Sequence, residues 1–292
     1  MANFSGSNHK EQPSTYFVQD RENEEEFKRL QIQDHLITTG MGGVLPEQPE
    51  TIRLQRVLDI GCGTGGWLME LATAYPACME LVGIDISQRM VEYARAEAEA
   101  HHLSARVEFQ VMDTLLILSF PAGYFDLVNL RFGSSFLRTW EWSKLLSEMV
   151  RMCHRDGLVR VTEPAVPTQS SSPAYVQFCT MLQCALHAAG HYFDPTPTSI
   201  TDHLPSLLKQ HGGRHIQIQT RASTLPFHAG TPEGQACIED ITHSLKTLFP
   251  FLSKWGCASS ADYHIMQQQT LTELQDPDFE TTWHLLTVWG TP

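Results

Sequence analysis

Val57-Leu58-Asp59-Ile60-Gly61-Cys62-Gly63-Thr64-Gly65-Gly66 is the stretch on which the fold turns. A short apolar run passes directly into closely spaced glycines and then, from Trp67 to Tyr75, into sequence of helical period. Glycine suits this place for three reasons. The turn between strand and helix is tight, a ligand must reach backbone N–H groups without a Cβ in the way, and the helix must pack close to the strand. The stretch therefore reads as a ligand cradle at the end of a buried strand.

The rhythm continues downstream. Leu81–Asp85 is expected as a strand, and Ser87 as the cap of a helix running to about His101, which closes a βαβ unit. Val107–Val111 and Phe125–Leu130 follow as strands. A helix from about Trp140 to His154, the Asp156-Gly157 turn and a strand over Leu158–Thr162 bring the parallel strands to five. Upstream, residues 1–20 read as frayed, and Glu22–Ile37 as a helix with acids in its first turn and Phe27, Leu30 and Ile37 on one face, ended by Gly40, Gly42, Gly43, Pro46 and Pro49. Between Pro164 and Thr201 the only charged residue is Asp194, so this segment, with a helix over Pro173–Ala189, is expected to be buried or to line a pocket. A helix over Ile200–Gln210, a strand over His215–Thr220, helical sequence to about Leu274 and an alternating strand over Thr282–Trp289 complete the chain.

A length of 292 residues suits one α/β domain with insertions. The net charge of -13 disfavours a phosphate backbone as partner, so nucleic acid and anionic membrane are not expected. With neither a signal peptide nor a long apolar span, the chain reads as soluble and cytoplasmic. Seven cysteines without a Cys-x-x-Cys pair suggest a reducing compartment and neither a disulfide framework nor a zinc site. A monomer and a homodimer are equally open.

Glycine spacing does not decide the ligand. Gly61, Gly63 and Gly66 also satisfy the Gly-x-Gly-x-x-Gly pattern of nicotinamide dinucleotide sites, with Asp85 about where a ribose-binding acid belongs. Two further acids weigh against phosphates. Asp59 lies two residues before the first glycine, where it would repel a pyrophosphate and suits a cationic amino-acid moiety. Asp113, at the end of the third strand, is placed to accept from an adenine amine.

With Ile84-Asp85-Ile86-Ser87, Met112-Asp113, Phe125-Asp126-Leu127-Val128 and Asp156-Gly157, the loop makes residues from Arg56 through Pro164 resemble the class I S-adenosylmethionine-dependent methyltransferases. The resemblance implies a Rossmann-like α/β fold: a seven-stranded, mostly parallel sheet with an antiparallel last strand, helices on both faces and helical cap insertions. It implies S-adenosylmethionine as cofactor, with Asp85 on the ribose hydroxyls, Asp113 on the adenine, and Gly61, Gly63 and Gly65 around the methionine moiety. Tyr16, Asp59, Cys62, Ile86, Met112, Thr114, Asn129 and Leu130 complete the expected cofactor contacts. Tyr16 with Glu26-Phe27-Lys28-Arg29-Leu30-Gln31-Ile32-Gln33 looks like the lid helix of small-molecule members, so residues 1–50 are expected as a lid and 51–292 as the methyltransferase domain, with caps at about 164–201 and 222–278. Asn129-Leu130-Arg131-Phe132-Gly133 lacks an Asn-Pro-Pro-Tyr signature, which counts against methylation of amino-bases or glutamine.

The reaction expected is O-, C- or N-methylation of a small molecule, of the kind met in secondary metabolism. If the acceptor needs a base, the candidates are His191, His187, His228 and Glu163. His187 and His191, four residues apart, would also reach one metal with Asp194, but no motif fixes a third ligand and no metal is expected. Tyr16 and Phe17 either close over the sulfonium or staple the helix. Trp140, Trp142, Trp255, Trp283 and Trp289 are expected to pack in the core. The alternatives are a protein-modifying or regulatory methyltransferase, a cofactor-binding protein with another reaction, and a nicotinamide dehydrogenase.

Overall fold

Strand β1 (Arg56–Ile60) begins where the Asp126 carboxylate accepts from the backbone N–H groups of Gln55 and Arg56, both at 2.8 Å. Asp126 sits on β4 (Phe125–Arg131), the parallel neighbour of β1. The Phe-Asp-Leu-Val run thus pins two adjacent strands at their N-terminal ends. In the computed structural model, which describes Tyr16 and residues 24–49, 51–212 and 216–292, β1 leads through the glycine loop into α2 (Gly66–Ala74). Strand β2 (Glu80–Asp85) then leads into α3 (Gln88–Ala100), where the Ser87 hydroxyl accepts from Met90 N–H at 3.4 Å. Strand β3 (Val107–Val111) forms one edge of the sheet.

Val57 and Leu58 point to opposite faces, as the two-residue period requires. Val57 joins Trp67, Leu71, Val91 and Phe109 in one core, and Leu58 joins Val128, Leu145, Met149 and Leu204 in the other. Helix α4 (Trp142–Met152) and α6 (Ser199–His211) cover that second face.

Strand β5 (Cys153–Pro164) starts earlier than the turn at Asp156-Gly157 suggests. Phe125 pairs with Cys153 and Leu127 with Leu158, so residues 154–157 bulge out inside the strand. A Cβ on Gly157 would lie 2.7 Å from the Asp126 carbonyl, which explains the glycine.

The last strand, β8 (Glu280–Thr291), runs antiparallel to β5, as expected. It also pairs along its whole length with β7 (Gln217–His228), and the sheet order is β3-β2-β1-β4-β5-β8-β7. An eighth, two-residue strand, β6 (Gln169–Ser170), pairs with β8 beyond the end of β5, where seven strands were expected. β7 is twice as long as anticipated because β8 offers it a full ladder. Residues 222–228 therefore belong to the sheet and not to a cap insertion, while His215, the expected start of that strand, lies outside the described residues.

The remaining elements gather beyond the strand ends: α1 (Glu24–Met41), α5 (Pro173–Ala188), α7 (Pro232–Thr247), α8 (Phe249–Lys254) and α9 (Ser260–Glu273). α1 outruns its expected end at Ile37, because Gly40 stays helical and lets the helix approach Leu225 of β7, where a Cβ would lie 2.7 Å from the leucine. No described helix is long and apolar enough to cross a membrane.

Cys184 at the end of α5 and Cys257 after α8 form a disulfide, with Cα atoms 5.9 Å apart. This corrects the expectation of unpaired thiols: the two cysteines are 73 residues apart in sequence, and only packing of α5 against α8 and α9 brings them together.

Candidate active site

Gly61, Gly63 and Gly65 adopt φ of 65°, 52° and 79°, the left-handed region in which a side chain is strained. The turn so formed carries the backbone over the end of β1. Asp85, at the end of β2, accepts from Gly63 N–H at 3.0 Å with one oxygen and from Ser87 N–H at 2.8 Å with the other. Through these two bonds Asp85 orders the loop at the cavity wall. Asp113 folds into a turn through Leu115 N–H, at 2.8 Å. Tyr16, Gly61, Gly63, Asp85, Ile86, Asp113 and Thr114 all line one cavity of about 340 Å³, within the usual range for a small-molecule site.

Other residues expected at the cofactor stand behind this wall. Asp59 is 4 % exposed and accepts from Asn129 Nδ2 at 2.8 Å. Asn129 Oδ1 accepts from Arg160, which is paired with Glu47 at 2.7 Å. Burial pushes the Asp59 carboxyl up to about 7, against the pull of Arg131 and the Asn129 hydrogen bond. Leu130 is core, Cys62 N–H bonds to Ile84 O at 3.0 Å beneath the loop, Gly65 packs on Phe109, and half-buried Met112 donates from its backbone to Asp85 O. None of these is among the described residues that line the cavity.

Away from the glycines the cavity is apolar. The charge-poor segment and its surroundings supply Pro164, Val166, Tyr175, Phe178, Leu182, Leu186 and Tyr192, joined by Ile37, Phe136, Ile241, Leu248 and Leu285. Trp283 is also in this wall rather than only in the core, and Trp140 is 67 % exposed, against the expectation that it packs inside. Set into this apolar region is a cluster of charge. Arg29 pairs bidentately with Glu26 at 2.8 Å and approaches Asp240 of α7 at 3.4 Å, while the Tyr16 hydroxyl donates to Glu26 at 2.6 Å and accepts from Arg29 at 3.2 Å. Tyr16 therefore faces the cavity through an ionic cluster that its sequence context did not announce; Phe17 lies outside the described residues.

The candidate bases differ sharply in setting. Glu163 is fully buried and accepts from the Ser134 hydroxyl at 2.6 Å and from Ser134 N–H at 3.2 Å, while its second oxygen, Oε1, has no partner among the described residues. Burial raises its carboxyl to about 7. Ser134 itself lines the cavity. His191 is fully buried, bonded through Nδ1 to Leu137 O at 2.9 Å, and pushed down to about 4 by burial and then by Arg138, so it is neutral at neutral pH. His187 is exposed in the last turn of α5, and His228 is exposed beside Glu280 at 3.5 Å. Neither is a lining residue of the cavity, and the described residues contain no group of three or more ligands that would hold a metal.

Sequence reasoning missed Arg131, Phe132 and Ser134. Phe132 takes φ 57° with its N–H on Thr162 O at 2.9 Å. A bulky residue gives no sequence signal of that conformation, which is rare outside glycine and asparagine.

A family model described as "Methyltransferase domain" matches residues 57–157, the span from β1 to the bulge of β5. The matched span holds the glycine loop, Asp85 and Asp113 but not the lining residues from Pro164 onward. The ubiquinone/menaquinone biosynthesis C-methyltransferase UbiE of Geotalea uraniireducens is 32 % identical over 123 residues, 42 % of this chain and 51 % of that protein. The chain thus spans about half the length of that relative. Solved structures cover more of the chain at lower identity. Phosphoethanolamine N-methyltransferase 2 of Haemonchus contortus, solved with phosphomonomethylethanolamine and S-adenosylhomocysteine, superposes with a TM-score of 0.53 at 18 % identity, covering 93 % of this chain and 59 % of that one. The [4+2]-cyclase SpnF superposes with a TM-score of 0.50 at 15 % identity, covering 96 % and 98 %. These solved structures share the overall fold of the chain.

Proposed function

We propose that this chain binds S-adenosylmethionine and transfers its methyl group to an apolar small molecule. The observation that carries this reading is the single cavity that joins Gly61, Gly63, Asp85 and Asp113 to the apolar walls of α1, α5 and α7. In this reading Asp85 accepts from the ribose hydroxyls, and Asp113 accepts from the adenine amine. The bound sulfonium supplies an electrophilic methyl. The protein's part is chiefly to hold the acceptor in line, an effect that can contribute about 7 kcal/mol or more. α1 acts as a lid and α5 with α7–α9 as caps; of the expected lid, residues 1–23 apart from Tyr16, and residue 50, lie outside the described residues. Glu163, backing the Ser134 hydroxyl at the cavity wall, is the favoured base, ahead of the neutral, enclosed His191 and the exposed His187. UbiE of Geotalea uraniireducens is a C-methyltransferase of quinone biosynthesis, and quinols and phenols fit the same apolar, aromatic walls.

Calorimetry with S-adenosylmethionine, S-adenosylhomocysteine and NAD, on the wild type and Asp85→Ala, tests the cofactor. The two sulfur ligands are expected to bind and NAD not, and the variant to lose about 1.5–3 kcal/mol through missing charge-assisted hydrogen bonds. Binding of NAD without the sulfur ligands sinks the reading. A second reading, cofactor binding without transfer, is favoured by one observation: a [4+2]-cyclase shares the fold. Release of S-adenosylhomocysteine in the presence of quinols or phenols separates the two.

A further inference from the structure

Two carboxylates enter the charged cluster at the apolar end of the cavity, and only one of them is satisfied. Glu26 accepts from Arg29 Nε and Nη2 at 2.8 Å each, from the Tyr16 hydroxyl at 2.6 Å and from Thr247 Oγ1 at 3.4 Å. Asp240 of α7 accepts one bond among the described residues, from Arg29 Nη1 at 3.4 Å. Its side chain is 5 % exposed and lines the cavity. One turn on, Ser244 lies on the same face of α7, as the four-residue spacing requires. Ser244 is 8 % exposed and also lines the cavity, and its hydroxyl has no hydrogen-bond partner among the described residues. Tyr16 and Tyr175 line the same cavity, and the Tyr175 phenol, raised chiefly by burial, also feels the Asp240 charge.

Charge decides what this corner receives. The Arg29 guanidinium is matched by Glu26, which holds it at two points, and Arg131, the other arginine among the described lining residues, is matched by Asp34. Asp85 and Asp113 stand at the glycine loop, where the cofactor reading employs them. Asp240 is the carboxylate left over. Burial lifts it to about 6, against the pull of Arg29, so at neutral pH it is ionised in apolar surroundings with one long hydrogen bond. Such a group gains most from a second cation brought in by a ligand, and neighbouring aromatic rings favour a cation further. We propose that Asp240 and Ser244 receive a protonated amine on an otherwise apolar methyl acceptor, the carboxylate as counter-ion and Ser244 Oγ accepting an N–H. A nitrogen held as ammonium has no lone pair to give, so this end orients the acceptor and a different atom takes the methyl. The proposal rests on the reading of the cavity as an acceptor site.

The test is calorimetry on the full chain saturated with S-adenosylhomocysteine, comparing two phenols of equal size: tyramine, and 4-propylphenol, in which a methyl stands where tyramine carries its ammonium. The wild type is expected to prefer tyramine by about tenfold or more. In Asp240→Asn, which keeps the shape and an acceptor for Arg29, the preference should fall to within about threefold, with affinity for 4-propylphenol nearly unchanged. Ser244→Ala leaves the ionic cluster whole and should weaken tyramine alone by about threefold; it decides the matter if the asparagine variant does not fold. Equal binding of the two phenols by the wild type, a preference that survives in Asp240→Asn, or tyramine binding that Ser244→Ala leaves untouched where that variant decides, overturns the anchor and leaves the phenol reading intact. If S-adenosylhomocysteine binds and neither phenol does, the phenolic acceptor and the anchor fall together while the cofactor reading stands. Failure of S-adenosylhomocysteine itself to bind overturns all three.

Discussion

At the glycine-loop end of the cavity, the lining comes from turns that directly follow β1, β2 and β3, and its polar groups are ordered by bonds two residues to about twenty residues away in sequence, such as Ser87 and Gly63 to Asp85. At the α1, α5 and α7 end the walls are apolar side chains, and the one charged cluster joins Arg29 to Asp240 across 211 residues. The first end is backbone held in shape by glycine and a few acids. The second exists only when distant helices dock. Local order survives substitution of a neighbour, whereas a buried ionic cluster fails when any member is removed.

The sharpest way to break this contrast is Arg29→Ala, which strands Glu26 and Asp240 in an apolar wall. A loss of about 3–5 kcal/mol in urea unfolding is expected; a loss under about 1 kcal/mol would mean that water reaches the cluster and that the two ends are alike. Next in size is Cys184→Ser. Opening a cross-link that spans 73 residues should cost about 2–4 kcal/mol, read as a lower Tm than the oxidised wild type and matched by reduction of the wild type. An unchanged Tm would remove the disulfide from the account of how α5 is held.

The smallest expected effect concerns Glu163 at the junction of the two ends. Its carboxyl is raised by burial to about 7 in the folded chain, above the unfolded value, so the native state binds the extra proton. Stability from this group is therefore full at acid pH and lost as pH rises through 7. Between pH 6 and 8 the wild type should lose about 1.4 kcal/mol more than Glu163→Gln. Asp59 and Asp240 titrate in the same region, so the quantity to measure is the difference between the two proteins. Parallel pH profiles would place an ionised, hydrated Glu163 at the site instead.

The contrast also explains how far the sequence could be read. β1 to β5 were legible because each strand and helix carries its own signal: Ser87 at a cap, glycines at a turn, alternation on the sheet. The reversed β8 was legible from its alternating residues and the family resemblance, and the charge-poor stretch from Pro164 announced a pocket wall. Strand β6, the run-on of β7 and the bulge before Leu158 were not, since each depends on what a partner strand offers and not on the residues themselves.

What the sequence alone determined, then, is the order of strands and helices, the glycine turn and the acids Asp85 and Asp113 that face the cavity. Tertiary structure decided the rest: that Asp59 lies behind the wall bonded to Asn129, that His191 is enclosed and His187 exposed, that Arg131 stands beside the loop held by α1, and that Cys184 meets Cys257. The physical reason is range. Backbone turns and caps are fixed by neighbours a few residues apart, whereas the burial of a charge, the partner of a cysteine and the facing of a side chain into a cavity are set by whichever distant element packs against it.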